Sequence, residues 1–215
     1  MITSLEDKGE GPGKRIVLFG KLVAWLVIII STLSLFGHGL DVGSLRSLPV
    51  PTWTEIDRTL LFLYLGLGSA FALRSGHDIG WRRFVVIAVP LVSLILCFWK
   101  LVETQLVTRF ETDEILFGAT SIDTSIGMHE LLGLIAVSLG VLLFNVKTYG
   151  ATAVAGLFLL SAIVMSYVGI ALFIYSAGVL QVLTSSSIPA TINSSIVLLL
   201  LALAAFLNHW DHEPV

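Results

Sequence analysis

Charge is what this sequence has least of. Only 13% of its 215 residues are Asp, Glu, Lys or Arg, against about 25% in an average soluble domain. A water-soluble fold of this size needs a charged shell. The deficit therefore excludes a soluble globule and makes the bilayer the solvent for most of the 56% of residues that are hydrophobic. Cysteine is nearly absent too. Cys97 stands alone in an apolar run, so no disulfide can form within the chain, and the thiol reads as a small packing residue. Catalytic signatures are missing: there is no phosphate loop, GxSxG elbow, HExxH pair or kinase set. A non-catalytic protein is expected. The centres of the long apolar runs hold no Asp, Glu, Lys or Arg, which weighs against a coupled transporter.

What is present is a series of apolar segments. Six of them, roughly 16–36, 58–74, 84–102, 126–146, 151–174 and 192–209, approach the ~20 residues needed to cross about 30 Å of hydrocarbon. Their continuity excludes a β-barrel, whose strands alternate, and lipid leaves the helix as the form that pairs every backbone group. The fold expected is all-α: six transmembrane helices arranged as three sequential hairpins. Residues 1–15 form a loose polar N-terminus, 16–209 the membrane domain and 210–215 a short tail. The first apolar run resembles a signal peptide, but Gly37-His38-Gly39 follows it without a small-residue cleavage site, so it reads as a retained helix.

Basic residues set the orientation. With the N-terminus inside, Lys8, Lys14, Arg15, Lys21, Arg74, Arg82, Arg83 and Lys147 are cytoplasmic, against Arg46, Arg58, Lys100 and Arg109 outside. Both termini are expected in the cytoplasm of a bacterial cell, the chain being a multi-pass protein of its inner membrane. The outer loops are the long ones and collect the acidic residues, from Asp41, Glu55 and Asp57 to Glu130. Long loops tend to carry function, so that face holds the candidate sites. Trp53, Trp81, Trp99 and Trp210 fall near segment ends, as an interfacial belt requires. Pro90 lies inside the third segment, where a bend is expected.

The stretch Ser34–Leu73 organises the chain. One helix ends, a short loop turns on prolines, and Ile56-Asp57-Arg58-Thr59 opens the next apolar descent. Looser versions occur at 122–144 and 188–207, each a polar or hydroxyl-rich opening before a run of Leu, Gly and Ala. Gly66, Gly68, Gly133, Gly140, Ala202, Ala204 and Ala205 would let backbones approach closely. The second, fourth and sixth helices are therefore expected to form the inner seam.

Three constellations could bind something. The outer carboxylates Glu103, Asp113, Glu114 and Glu130, with His129, could hold a hard cation or another ligand, although their spacing matches no calcium loop. His129-Glu130 at the mouth of the fourth helix could also titrate near physiological pH. Histidines on either side, His38 and His129 outside, His77 and His209 inside, could pair to ligate haem b. No cofactor is expected; haem is the alternative, and the identity of any metal stays open.

Leu45-Arg46-Ser47-Leu48-Pro49, Trp53-Thr54-Glu55 and Thr59-Leu60 with Leu65-Gly66-Leu67 resemble the N-terminal membrane region of bacterial histidine kinases and diguanylate cyclases. Met128 with Leu132-Gly133, and Thr191-Ile192-Asn193, are weaker echoes. The resemblance implies repeated hairpins acting as a sensor-like input for signal transduction. The sequence runs out at HWDHEPV without a phosphotransfer segment or cyclase domain. The expectation is thus an input module that passes a packing change to a cytoplasmic partner. The alternative is an accessory subunit of a larger respiratory or photosynthetic membrane complex. Partners are the lipid bilayer and other protein subunits, with no nucleic acid.

Overall fold

The computed structural model describes residues 12–49, 56–74, 80–106, 127–146, 148–179 and 192–209. Helices are α1 (Pro12–Leu40), α2 (Gly43–Arg46), α3 (Arg58–Arg74), α4 (Gly80–Leu106), α5 (Met128–Phe144), α6 (Tyr149–Val179) and α7 (Ile192–His209). No strand occurs among the described residues. The apolar runs are long enough for six of these helices. The outer ones run past them because backbone hydrogen bonding continues into polar flanks: α4 spans Gly80–Leu106, against the expected 84–102. It also continues through Pro90.

Long and short helices alternate, and length decides position. α1, α4 and α6 have 29, 27 and 31 residues and are apolar enough to cross a membrane. α3, α5 and α7 are also apolar but have only 17, 17 and 18 residues. At ~1.5 Å per residue the short helices reach about 26 Å, less than the ~30 Å of a hydrocarbon core.

The short helices are the inner ones. Along α5 and α7 most side chains are buried, including Leu134, Val137 and Val141 on one and Leu198, Leu201 and Ala205 on the other. Each long helix lies across two of them: α1 packs on α3 and α7, α4 on α3 and α5, α6 on α5 and α7. α7 also meets both α3 and α5. The outward faces of the long helices remain exposed and greasy, as at Phe36, Phe84, Ile95, Leu157 and Tyr167. The second, fourth and sixth apolar segments thus form the interior, as their small residues imply.

Those small residues sit where helices touch. A side chain at Gly68 would meet Ala24, Val27 and Ile28 of α1, and one at Gly66 would meet Val89 of α4. Gly133 faces Leu198 of α7, and Gly140 faces Ala155 and Leu159 of α6. In lipid, where burial of apolar surface supplies no drive between helices, such close approach replaces it with dispersion contacts.

α1 stops for a local reason. Asp41 takes the left-handed conformation at φ 58°, and the Val42 N–H donates to the Gly37 carbonyl at 2.9 Å. This is the six-to-one closure that ends many helices. The Arg46 guanidinium folds back to donate to the same carbonyl at 3.3 Å and pairs with Asp41.

Candidate functional site

The openings of the three inner helices meet at one end of the bundle. Asp57 precedes the first turn of α3, and its Oδ1 accepts from the backbone N–H groups of Thr59 at 2.8 Å and Leu60 at 3.2 Å. These are two of the donors a helix start leaves without partners, so Asp57 is a true N-cap. In α5 the Glu130 carboxylate reaches back to accept from the Gly127 N–H at 3.2 Å. That is the acidic half of a capping box. Both carboxylates also face the positive ends of their helix dipoles.

Side chains then tie the three openings to one another. The Ser194 hydroxyl of α7 donates to Glu130 Oε1 of α5. Tyr64 of α3 donates its phenolic hydroxyl to the Ser194 carbonyl at 3.1 Å. Asn193 Nδ2 donates to the Ser47 carbonyl at 2.7 Å, joining α7 to the segment between α1 and α3. His129 Nε2 lies 3.3 Å from the Ser195 hydroxyl. Glu130, Asn193, Ser195 and Tyr64 are all 0% exposed. A carboxylate buried so completely requires its charge-assisted hydrogen bonds, because desolvation without them costs several kcal/mol. The arrangement is a polar joint sealed within an otherwise apolar bundle.

The joint is recessed. Gly169 of α6 stands against both His129 and Ser195, so α6 passes the joint at residue 169 and continues to Val179, about 15 Å further at ~1.5 Å per residue. The Gly66–Val89 contact fixes α4 against α3. From there α4 rises to Leu106, which carries it past the start of α3 by about 14 Å. The third side is closed by the end of α1, whose His38 donates from Nε2 to the Ile56 carbonyl at 3.0 Å.

The residues singled out in the sequence divide sharply. His129 and Glu130 lie in the joint. Glu103 lies apart on α4, paired with Lys100 at 3.5 Å. Asp113, Glu114 and His77 fall outside the described residues, as does the side chain of His209. Among the described residues, no three His, Cys, Asp or Glu side chains gather as a metal site. His38 joins α1 to the start of α3: its Nε2 donates to the Ile56 carbonyl at 3.0 Å, and its Nδ1 faces Arg58 Nε at 3.5 Å.

Asp57, Tyr64, Ser194, Ser195 and Gly169 are the members that sequence reasoning passes over as site residues. The signal was present in the polar openings at 57, 129–130 and 193–195. What no single sequence supplies is that all three openings face one another. No family model, curated protein or solved structure matches the chain.

Proposed function

We propose that this chain is a non-catalytic, sensor-like membrane module that crosses the bilayer six times with both termini in the cytoplasm. A stimulus acting on the outer loops is relayed by the buried joint into the packing of the three hairpins, and so to a cytoplasmic partner. One observation carries the reading. The openings of two inner helices, α5 and α7, share one hydrogen-bonded cluster that Tyr64 joins from the second turn of α3, so displacement of the segment leading into one of them is felt by the others. The cluster contains carboxylates, a histidine and three hydroxyls, but His129 turns the same nitrogen, Nε2, toward both Ser195 at 3.3 Å and Glu130 at 3.9 Å, whereas a nucleophilic triad needs the acid on the other ring nitrogen; this supports binding or coupling over catalysis. A half-satisfied buried polar network is costly, so the joint favours discrete arrangements over gradual deformation, as a switch requires.

The test is a screen of small polar ligands by thermal shift on the full chain in lipid nanodiscs, repeated with residues 108–124 replaced by a short Gly/Ser linker and with Glu130→Gln. The proposal expects a ligand whose stabilisation is lost with the loop and reduced by Glu130→Gln. Binding that both variants leave untouched contradicts it. Constant co-migration with a fixed set of membrane subunits, with no ligand response, points instead to an accessory subunit.

A further inference from the structure

The joint holds one ionisable pair whose two members differ in their access to water. Glu130 is fully enclosed, whereas the His129 side chain is 20% exposed. A proton from the water beyond the joint can therefore reach the imidazole while the carboxylate stays sealed. His129 holds the joint by one ring nitrogen: Nε2 lies 3.3 Å from the Ser195 hydroxyl of α7 and 3.9 Å from Glu130 Oε1. The same edge of the ring lies against the backbone of α6, where a Cβ on Gly169 would stand 2.5 Å from Nε2 and 2.6 Å from Cδ2. Among the described residues, Nδ1 has no hydrogen-bond partner.

A neutral ring suits this setting, because Nε2 and the Ser195 hydroxyl can share one proton between them whichever of the two carries it. A charged ring suits it poorly. Both nitrogens of an imidazolium must donate. The carboxylate at 3.9 Å is beyond hydrogen-bond reach, and its oxygens already accept from Ser194 and Gly127. The Gly169 backbone blocks any shift toward α6. The elements packed around α5 add little to hold the charge. α7 presents hydroxyls and amides at this end, and the tyrosines of α6, Tyr167 and Tyr175, are exposed. α4 brings the buried Cys97 and the Lys100–Glu103 pair, while α3 brings Tyr64 and Asp57, whose carboxylate caps its own helix. A charge held there without acceptors is costly, and the exposed side of the ring gives it a way back to water.

We propose that the joint is an acid-sensitive latch: a proton taken up by His129 swings the imidazole out toward water, breaks its contact with Ser195 and loosens α5 from α7. On the proposed topology this makes external acidity a stimulus. The inference rests on the relay reading of the same joint, but acid loosening needs no ligand, so it can fail while ligand binding stands, and the reverse.

The full chain in lipid nanodiscs, without added ligand, is unfolded by heat in steps from about pH 8 to about pH 5, the span over which an ordinary imidazole charges. The midpoint of the natural chain is expected to fall by several degrees toward acid. His129→Gln, which stays polar and cannot titrate, should remove most of that fall. Ser195→Ala, which lacks the contact that acid breaks, should also reduce it, and His38→Gln should keep it. A merely structural role for His129 would shift the midpoint equally at every pH. A midpoint that stays level or rises toward acid, as a His129–Glu130 ion pair would make it, overturns the proposal, and so does a fall that His129→Gln and Ser195→Ala both retain in full.

Discussion

Buried hydroxyls in this bundle differ in what they do, and the difference is measurable. Ser194 supplies a hydrogen bond to a carboxylate with no access to water. Ser138, equally buried, has no hydrogen-bond partner for its Oγ among the described residues. Ser194→Ala strips a donor from Glu130 and should cost about 1–3 kcal/mol, whereas Ser138→Ala removes an orphan and should be neutral or stabilising. Denaturant unfolding in detergent micelles compares the two directly. Asp57→Ala leaves two backbone donors of α3 uncapped and should cost ~1 kcal/mol in the same assay; Asp57→Asn should recover most of it. The sequence made Glu130 look like a solvent-facing ligand group because it follows a long acidic loop. Its real surroundings come from α7, more than sixty residues later, and no local pattern announces them.

At the scale of elements, the glycines report which helix faces are in contact. Gly68 lies against α1, with Ile28 Cγ1 3.1 Å and the Ala24 carbonyl oxygen 3.5 Å from where a Cβ would stand. Gly150 of α6 has nothing within 4 Å. Gly68→Leu should therefore push α1 and α3 apart and lower the unfolding midpoint, with a cost of roughly 1–3 kcal/mol for overpacking. Gly150→Ala should instead stabilise by about 0.5–1 kcal/mol through helix propensity alone. The existence and order of the helices were legible in the chain because apolar runs in a charge-poor sequence leave few alternatives. The close-packed stripes were legible as well, from Gly and Ala at regular places. Helix ends were less so. α1 continues to Leu40, beyond the apolar run, until Asp41 adopts a left-handed backbone that a non-glycine residue seldom takes.

For the molecule as a whole, the alternation of long and short helices is the organising fact. Three long helices can face lipid and still span it, and their bulk lets three shorter ones open below the surface. A polar joint placed there is shielded on its flanks by α4 and α6, so it can hold a carboxylate without water. On the proposed topology the basic short turns face the cytoplasm and the joint faces the opposite side. Reporter fusions should place both termini in the cytoplasm; ends in opposite compartments would mean an odd number of crossings. The pairing of openings could not be read along the chain, since it depends on how three hairpins close around one another.

The joint itself can be trapped. A Cβ on Gly169 would overlap both the Ser195 hydroxyl and the His129 ring, so a disulfide between these positions is within reach once the imidazole is removed. In a Cys97→Ser/His129→Ala background, Gly169→Cys with Ser195→Cys should oxidise in membranes to an intrachain disulfide, seen as a reductant-sensitive mobility shift with loss of maleimide labelling. Two thiols that stay reduced and label freely under oxidant would contradict the account, because α6 would then not pass the joint at this residue.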